Sequence, residues 1–154
     1  MTTYVDSSVI VAFYLQEPHS RKARRALAAE VSAPLTPLLD LEVRTVFRRM
    51  VGSKRMTPRE SAAVLSHFDD DITVGRLAHV PCDLYAMFST AETLSARHAQ
   101  RLLSRSLDTL HVAAALDLGC TRFITLDSRQ GRLAAACGFE VVDLTKPRPR
   151  APRR

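Results

Sequence analysis

Four acidic residues lie in short segments in which an apolar run borders a helix-like stretch. They are Asp6 in YVDSSV, Glu42 in LLDLEVR, Asp108 in RSLDTLHVAAA and Asp127 in FITLDSRQ. Asp6 and Asp127 each follow a short apolar run, and in a parallel α/β sheet such positions lie together at the carboxyl edge. Four carboxylates at one edge repel each other unless a divalent cation binds among them. The pattern therefore predicts a magnesium site that cleaves phosphodiester bonds, since the metal polarises the phosphate and activates a bound water.

Each aspartate also has a simpler explanation as part of a helix terminus. Asp6 and Asp127 precede predicted helices, where an aspartate side chain accepts hydrogen bonds from the first backbone N–H groups. Asp108 lies in the first turn of its helix, where the macrodipole favours a negative charge. Taken singly, each aspartate is better explained as a cap, and only the four acids together favour a shared metal site.

Glu42 is harder to explain as a structural residue. Its helix carries an apolar stripe formed by Leu39, Val43, Val46 and Met50. Glu42 borders this stripe, so we expect its carboxylate to be partly buried, which is costly unless the group is paired or binds a metal. A salt bridge with one of the arginines on the same helix is the alternative. If the four acids crowd one crevice, some of their pKa values should be raised.

Apolar runs and helix-like stretches alternate along the chain. The predicted strands are TYV, SAPL, LAHVPC, RFITL and FEVVDL. Repeated strand–helix alternation predicts an α/β fold, with a mainly parallel sheet of about five strands between two layers of helices.

Several helix limits can be read from capping residues. Thr36-Pro37 predicts the start of the helix that carries Glu42 and runs to about Gly52. Thr57 and Glu60 form a capping box. A long helical stretch from 83 to about 105 is expected to break once, and Gly119 and Gly138 are expected to end the last two helices.

The other polar residues give weaker indications. His111 follows Asp108 by three positions, and we expect it to be packed or bonded to a neighbour rather than catalytic. The run 69–71, three aspartates, is expected to be a solvated helix end. The segments RKARR and RRMVGSKR are basic faces that could flank an RNA groove, and the three cysteines are expected to be buried free thiols.

Length and charge set the class of protein. The 154 residues suit a single domain, predicted over residues 1–145. No apolar run reaches the roughly 18 residues of a membrane span, and no basic segment precedes the first apolar one, which predicts a cytoplasmic location without membrane contact.

The net charge of +6 resides mostly in the proline-rich tail 146–154, which holds five cations and is expected to be disordered. Residues 1–145 carry 17 basic and 16 acidic residues, a net charge of only +1.

The chain resembles the PIN-domain ribonucleases, above all the toxins of VapBC-type toxin–antitoxin modules. The resemblance covers nearly all of residues 4–143. The segments that carry it are YVDSSVIVAFYLQEP, LLDLEVRTVFRR, SLDTLHVAAALDLG and FITLDSRQGRLAAACGFEVVDL, which occur in the family's order and at family-like spacing.

The resemblance implies a PIN-like three-layer fold and a Mg²⁺-dependent endoribonuclease, with Mn²⁺ as an alternative ion. It implies that Asp6 and Asp108 are direct metal ligands. Glu42 and Asp127 complete the acidic pocket, directly or through water, and Thr125 supports it. The implied partners are an RNA substrate, a small cognate antitoxin and a second copy of the chain.

Other classes of protein are less consistent with the sequence. A haloacid-dehalogenase-type phosphatase needs a second aspartate where Ser8 stands, and a receiver domain needs a lysine after a late strand, which is absent. Two alternatives within the PIN-like fold remain. One is a module that binds RNA or protein without cleavage, and the other is a stand-alone nuclease without an antitoxin.

Overall fold

The computed structural model describes residues 2–146, in which short strands alternate with helices. The strands are β1 (Thr3–Val5), β2 (Ala33–Leu35), β3 (Leu77–His79), β4 (Arg122–Thr125) and β5 (Glu140–Asp143). The helices are α1 (Ser7–Tyr14), α2 (Ser20–Ala28), α3 (Pro37–Gly52), α4 (Pro58–Thr73), α5 (Leu84–Leu102), α6 (Ser106–Asp117) and α7 (Ser128–Ala136). The predicted α/β alternation is confirmed.

All strand pairs are parallel, but the strands form two hydrogen-bonded sheets instead of one. The first sheet has the order β1-β4-β5, and the second consists of β2 and β3. Strands β1 and β2 contact each other, so the overall order is β3-β2-β1-β4-β5. The prediction of about five parallel strands is confirmed, with a seam between β1 and β2.

Pro34 gives a physical reason for this seam. In a parallel strand, successive residues direct their backbone N–H and C=O groups to opposite neighbours. The Ala33 nitrogen donates to the Arg76 oxygen at 2.9 Å and the Leu35 oxygen accepts from the Val80 nitrogen at 3.1 Å, so both residues bond on the β3 side. Residue 34 therefore faces β1, and proline has no N–H group to donate there.

The core lies between the strands and the helices that cover them. Strands β1 and β2 are buried along their whole length, and Thr109–Ala115 of α6 is buried without interruption. Tyr4 and Phe123, paired across β1 and β4, stack with ring centroids 5.2 Å apart. These contacts fix the carboxyl ends of β1 and β4 side by side.

The capping signals place the helix limits well. The Thr36 side chain accepts from the Leu39 nitrogen, and Thr57 and Glu60 form the expected capping box. The predicted long helix is present, but the expected break is not: α5 is continuous from Leu84 to Leu102 and ends at Leu103, whose φ of 53° is left-handed. Gly119, with a φ of 65°, follows α6 as expected.

The expectation of a solvated helix end at residues 69–71 is wrong for Asp71. Its side chain is buried and accepts a hydrogen bond of 2.7 Å from the Tyr14 hydroxyl. It also forms an ion pair with Arg76. Asp69 forms an ion pair of 2.7 Å with Arg44. This pairing, which joins α4 to α1 and α3, was not visible as a local sequence pattern.

Several other predictions meet the structure only in part. Cys120 is a buried free thiol, but Cys82 and Cys137 are only partly buried. Among residues 2–146, no helix combines the length and apolar character needed to cross a membrane. The proposed tail lies almost wholly outside the described residues, so the division at residue 145 stays a prediction.

Candidate functional site

Two neighbouring strands bring Asp6 and Asp127 to one edge of the sheet. Asp6 directly follows β1, and its nitrogen donates to the Ile124 oxygen of β4 at 2.9 Å. Asp127 comes two residues after the end of β4. Because β1 and β4 are adjacent and parallel, their carboxyl ends coincide. Both aspartates are also N-caps, Asp6 of α1 and Asp127 of α7, so the capping and edge predictions hold together.

The Asp6 carboxylate is buried among hydrogen-bond donors, with a relative exposure of 3%. Its Oδ2 accepts from the Thr125 hydroxyl at 3.1 Å, from the Ser8 nitrogen at 3.3 Å and from the Ser8 hydroxyl. The Gln130 amide lies 3.1 Å from both Asp6 oxygens, and its nitrogen donates to them when it faces Asp6. These donors satisfy a carboxylate that would otherwise be costly to bury.

Glu42 is bonded to His111, not to an arginine. The His111 Nε2 atom lies 2.6 Å from the Glu42 Oε2 atom, and Nδ1 lies 2.9 Å from the hydroxyl of the fully buried Tyr4. The expectation that His111 is bonded to a neighbour is confirmed. The two hydrogen bonds that link Tyr4, His111 and Glu42 therefore fix the position of the glutamate side chain.

The pairing sets the charge of both groups. Burial tends to raise the pKa of Glu42, but hydrogen bonds from His111 and Ser7 and the charge of His111 lower it below its usual value. Burial tends to lower the pKa of His111, but the hydrogen bond to Glu42 and the charges of Asp6, Glu42 and Asp108 raise it. Glu42 is therefore not one of the acids whose pKa crowding raises, because the bonds from His111 and Ser7 and the charge of His111 outweigh burial.

Asp108 lies one helical turn before His111 on α6, and its charge acts on the imidazole together with those of Asp6 and Glu42. It is buried in the first turn of α6, and its Oδ2 accepts from the Arg105 nitrogen at 2.8 Å, as in a capping box. Its other oxygen, Oδ1, accepts no hydrogen bond from residues 2–146. That atom is therefore available to a ligand.

Asp127 occupies a different position from the other three acids. Its side chain is exposed, and Oδ1 accepts from the nitrogens of Arg129 at 2.8 Å and Gln130 at 3.2 Å. Its link to Asp6 runs through Thr125, whose hydroxyl accepts from the Asp127 nitrogen at 2.8 Å and donates to Asp6. The structure thus connects Glu42, Asp108 and the strand that precedes Asp6 through His111, and it links Asp127 to Asp6 through Thr125.

The donor set suits a hard divalent cation held by few protein ligands. Within residues 2–146, no three His, Cys, Asp or Glu side chains are grouped as a ready metal cage. Mg²⁺ does not need one, because it usually keeps several waters and binds one or two carboxylates together with substrate phosphates. Asp6 and the free oxygen of Asp108 fit that mode of binding, and the arrangement can do metal-assisted phosphodiester chemistry.

Several residues of the site were missed or underrated from sequence. Ser8 and Gln130 both contact Asp6, and Tyr4 anchors His111 across 107 positions of sequence. The spacing of Asp108 and His111 on one helix was the only local signal for this network.

Comparisons with known proteins agree on the fold. The sequence model of the family described as PIN domain matches residues 3–136. The crystal structure of Mycobacterium tuberculosis VapC20, a sarcin–ricin loop cleaving toxin, is 21% identical, with a TM-score of 0.63 over 91% of this chain and 98% of that one. The crystal structure of FitAcB from Neisseria gonorrhoeae is 13% identical, with a TM-score of 0.67 over 94% of this chain and 99% of that one. No curated protein sequence matches the chain significantly.

Proposed function

Because this chain belongs to the PIN-domain family, we propose that it is a Mg²⁺-dependent endoribonuclease and the toxin of a type II toxin–antitoxin system. The observation that carries the proposal is that His111 connects three acidic positions: it bonds to Glu42, lies one turn after Asp108 on α6, and bonds to Tyr4, two residues before Asp6. The similar fold of VapC20, a toxin that cleaves the sarcin–ricin loop, supports RNA as the substrate class. We further propose that the toxin acts in the cytoplasm as a homodimer and is neutralised by a small cognate antitoxin.

The proposed roles follow from the surroundings of each acid. Asp6 and Asp108 hold Mg²⁺ (or Mn²⁺) directly, and Glu42 and Asp127 act on it directly or through water. When bound, the metal polarises the scissile phosphate and lowers the pKa of the attacking water. Glu42, which His111 keeps ionised, is suited to orient that water as a hydrogen-bond acceptor.

The test is RNA cleavage by the purified protein with Mg²⁺, with EDTA and with Asp6→Asn. We expect EDTA to abolish cleavage and Asp6→Asn to lower its rate about 100-fold or more, since removing a ligand forfeits several kcal/mol of transition-state stabilisation. Asp83→Asn is the matched control, because Asp83 is likewise the N-cap of a helix but is exposed on α5. Cleavage that persists in EDTA and in Asp6→Asn would refute the metal site, and RNA binding without cleavage would favour the non-catalytic module.

Thr125 offers a second test of the same site. Thr125→Val removes the hydroxyl that donates to Asp6 and accepts from Asp127. Hydrogen bonds to charged groups contribute about 1.5–3 kcal/mol, so we expect cleavage to fall about 10-fold or more. Thr125→Ser keeps the hydroxyl and should retain most of the activity. Equal rates for the valine and serine variants would show that the hydroxyl has no role in the reaction.

A further inference from the structure

Helices α5 and α6 form an antiparallel hairpin that directs the end of α5 toward the carboxylates. In the first half of α5, the Thr90 hydroxyl donates to Asp117, the last residue of α6, at 3.1 Å. The chain then turns sharply at Leu103 and enters α6 at Ser106. The end of α5 therefore lies beside the start of α6, which carries Asp108.

Three exposed arginines follow this path at intervals of four residues: Arg97, Arg101 and Arg105. Arg97 and Arg101 are neighbours on one face of α5, about 6 Å apart along the axis. The Arg105 nitrogen is bonded to Asp108 itself. Among the ion pairs of residues 2–146, none involves these three side chains. Their charges are therefore available to a ligand at the rim of the site.

The basic segments that the sequence first suggests for RNA are partly engaged elsewhere. Lys22 donates to the Leu144 oxygen at 2.8 Å, and Arg24 to the Leu15 oxygen at 2.8 Å. Arg55 forms an ion pair of 3.4 Å with Glu17. Since residues 1–145 have a net charge of only +1, attraction of a polyanion depends on local groups of unpaired cations.

We propose that Arg97, Arg101 and Arg105 bind the phosphates of an RNA strand that leads away from the carboxylates, an inference that rests on the proposed nuclease function. Guanidinium groups bind phosphate oxygens through paired, charge-assisted hydrogen bonds. Contacts of this kind position a strand without reading its sequence. The arginines thus set the register in which an RNA crosses the site, and they determine affinity rather than the chemical step.

The test compares two double variants with the same change in charge. Arg97→Gln with Arg101→Gln removes two of the three arginines that form the proposed phosphate track. Arg59→Gln with Arg132→Gln is the control, since these two arginines are also exposed on helices, form no ion pair within residues 2–146 and lie outside the basic segments considered for RNA. Glutamine keeps a high helix propensity, so both variants should fold. Arg105 stays unchanged because it is the N-cap of α6, where a substitution could shift Asp108 itself.

RNA affinity is measured in EDTA at several salt concentrations, so that binding is observed without cleavage. Two lost phosphate contacts should reduce the slope of log K against log salt by about 1.4 for a single strand, and the control pair should leave it near the wild-type value. With Mg²⁺, the track variant should raise KM for a long RNA and leave kcat unchanged.

The outcomes separate the two proposals. If the wild-type protein cleaves RNA and both double variants have equal salt slopes, the track is refuted and the nuclease function stands. If it binds RNA with a slope that falls only in the track variant but never cleaves, the function is refuted and the track stands as a binding surface. A lower kcat in the track variant would also contradict a role confined to binding.

Discussion

Asp108→Asn should leave the free energy of unfolding within about 0.5 kcal/mol of the wild-type value, as for a neutral substitution, and should lower RNA cleavage about 100-fold or more. The two effects separate because the two oxygens of Asp108 have different tasks. The Oδ2 atom accepts from the Arg105 nitrogen, and the amide oxygen of asparagine can keep that hydrogen bond. A neutral amide, however, is a poor ligand for Mg²⁺ and relieves the repulsion between the acids.

Asp108→Ala is the counterpart that tests the cap. It removes both the cap and the ligand, so we expect the same loss of cleavage together with a destabilisation of about 1 kcal/mol. Mg²⁺ should raise the melting temperature of the wild-type protein by mass action and have little effect on either variant. An Asp108→Asn protein that is strongly destabilised and still cleaves RNA at the wild-type rate would assign Asp108 to capping alone.

His111→Leu should lower the free energy of unfolding by about 2–3 kcal/mol, because it leaves the buried Tyr4 hydroxyl without its partner and removes a charge-assisted bond to Glu42. Tyr4→Phe alone should cost about 1–2 kcal/mol for the opposite reason, since the Nδ1 atom of His111 is then unsatisfied. In the double variant neither side chain keeps an unpaired polar atom at this contact. Its cost should be smaller than the sum of the single costs by about 1 kcal/mol or more.

Urea unfolding of the wild-type protein and the three variants measures this coupling. RNA cleavage by the same proteins should fall in both variants that lack His111, because Glu42 loses the partner that orients it. Costs that simply add would mean that the hydrogen bond between Tyr4 and His111 contributes nothing to stability. Full cleavage by His111→Leu would show that Glu42 needs no such support.

Local features of the fold could be predicted well because they depend on neighbouring residues. Thr36-Pro37 and Gly52 bound α3 as expected, since caps and helix limits are decided within a few positions. The seam between β1 and β2 was not predicted, although Pro34 is visible in the sequence. Its effect depends on which neighbour each residue of β2 faces, and that is known only once the strands are paired.

In the candidate site, too, the features that depend on neighbouring residues were predicted, and those that depend on distant residues were not. Asp6 and Asp127 were placed at the sheet edge from the pattern of strand and helix alone. A salt bridge with an arginine of its own helix was the alternative considered for Glu42, but its partner is His111, 69 positions away. Asp71 was likewise assigned to solvent and is buried against Tyr14. In both cases the partner comes from an element that only the tertiary arrangement brings close.

Because of the seam at Pro34, no ladder of backbone hydrogen bonds joins the two sheets that carry the proposed site. Glu42 lies on α3, which follows β2 of the smaller sheet, whereas Asp6 and Asp127 follow strands of the larger sheet and Asp108 lies on α6, which precedes β4. The 2.6 Å contact between His111 and Glu42 spans that division. Because no β-ladder hydrogen bond joins the two sheets, the position of Glu42 relative to the three aspartates depends on side-chain contacts such as this one.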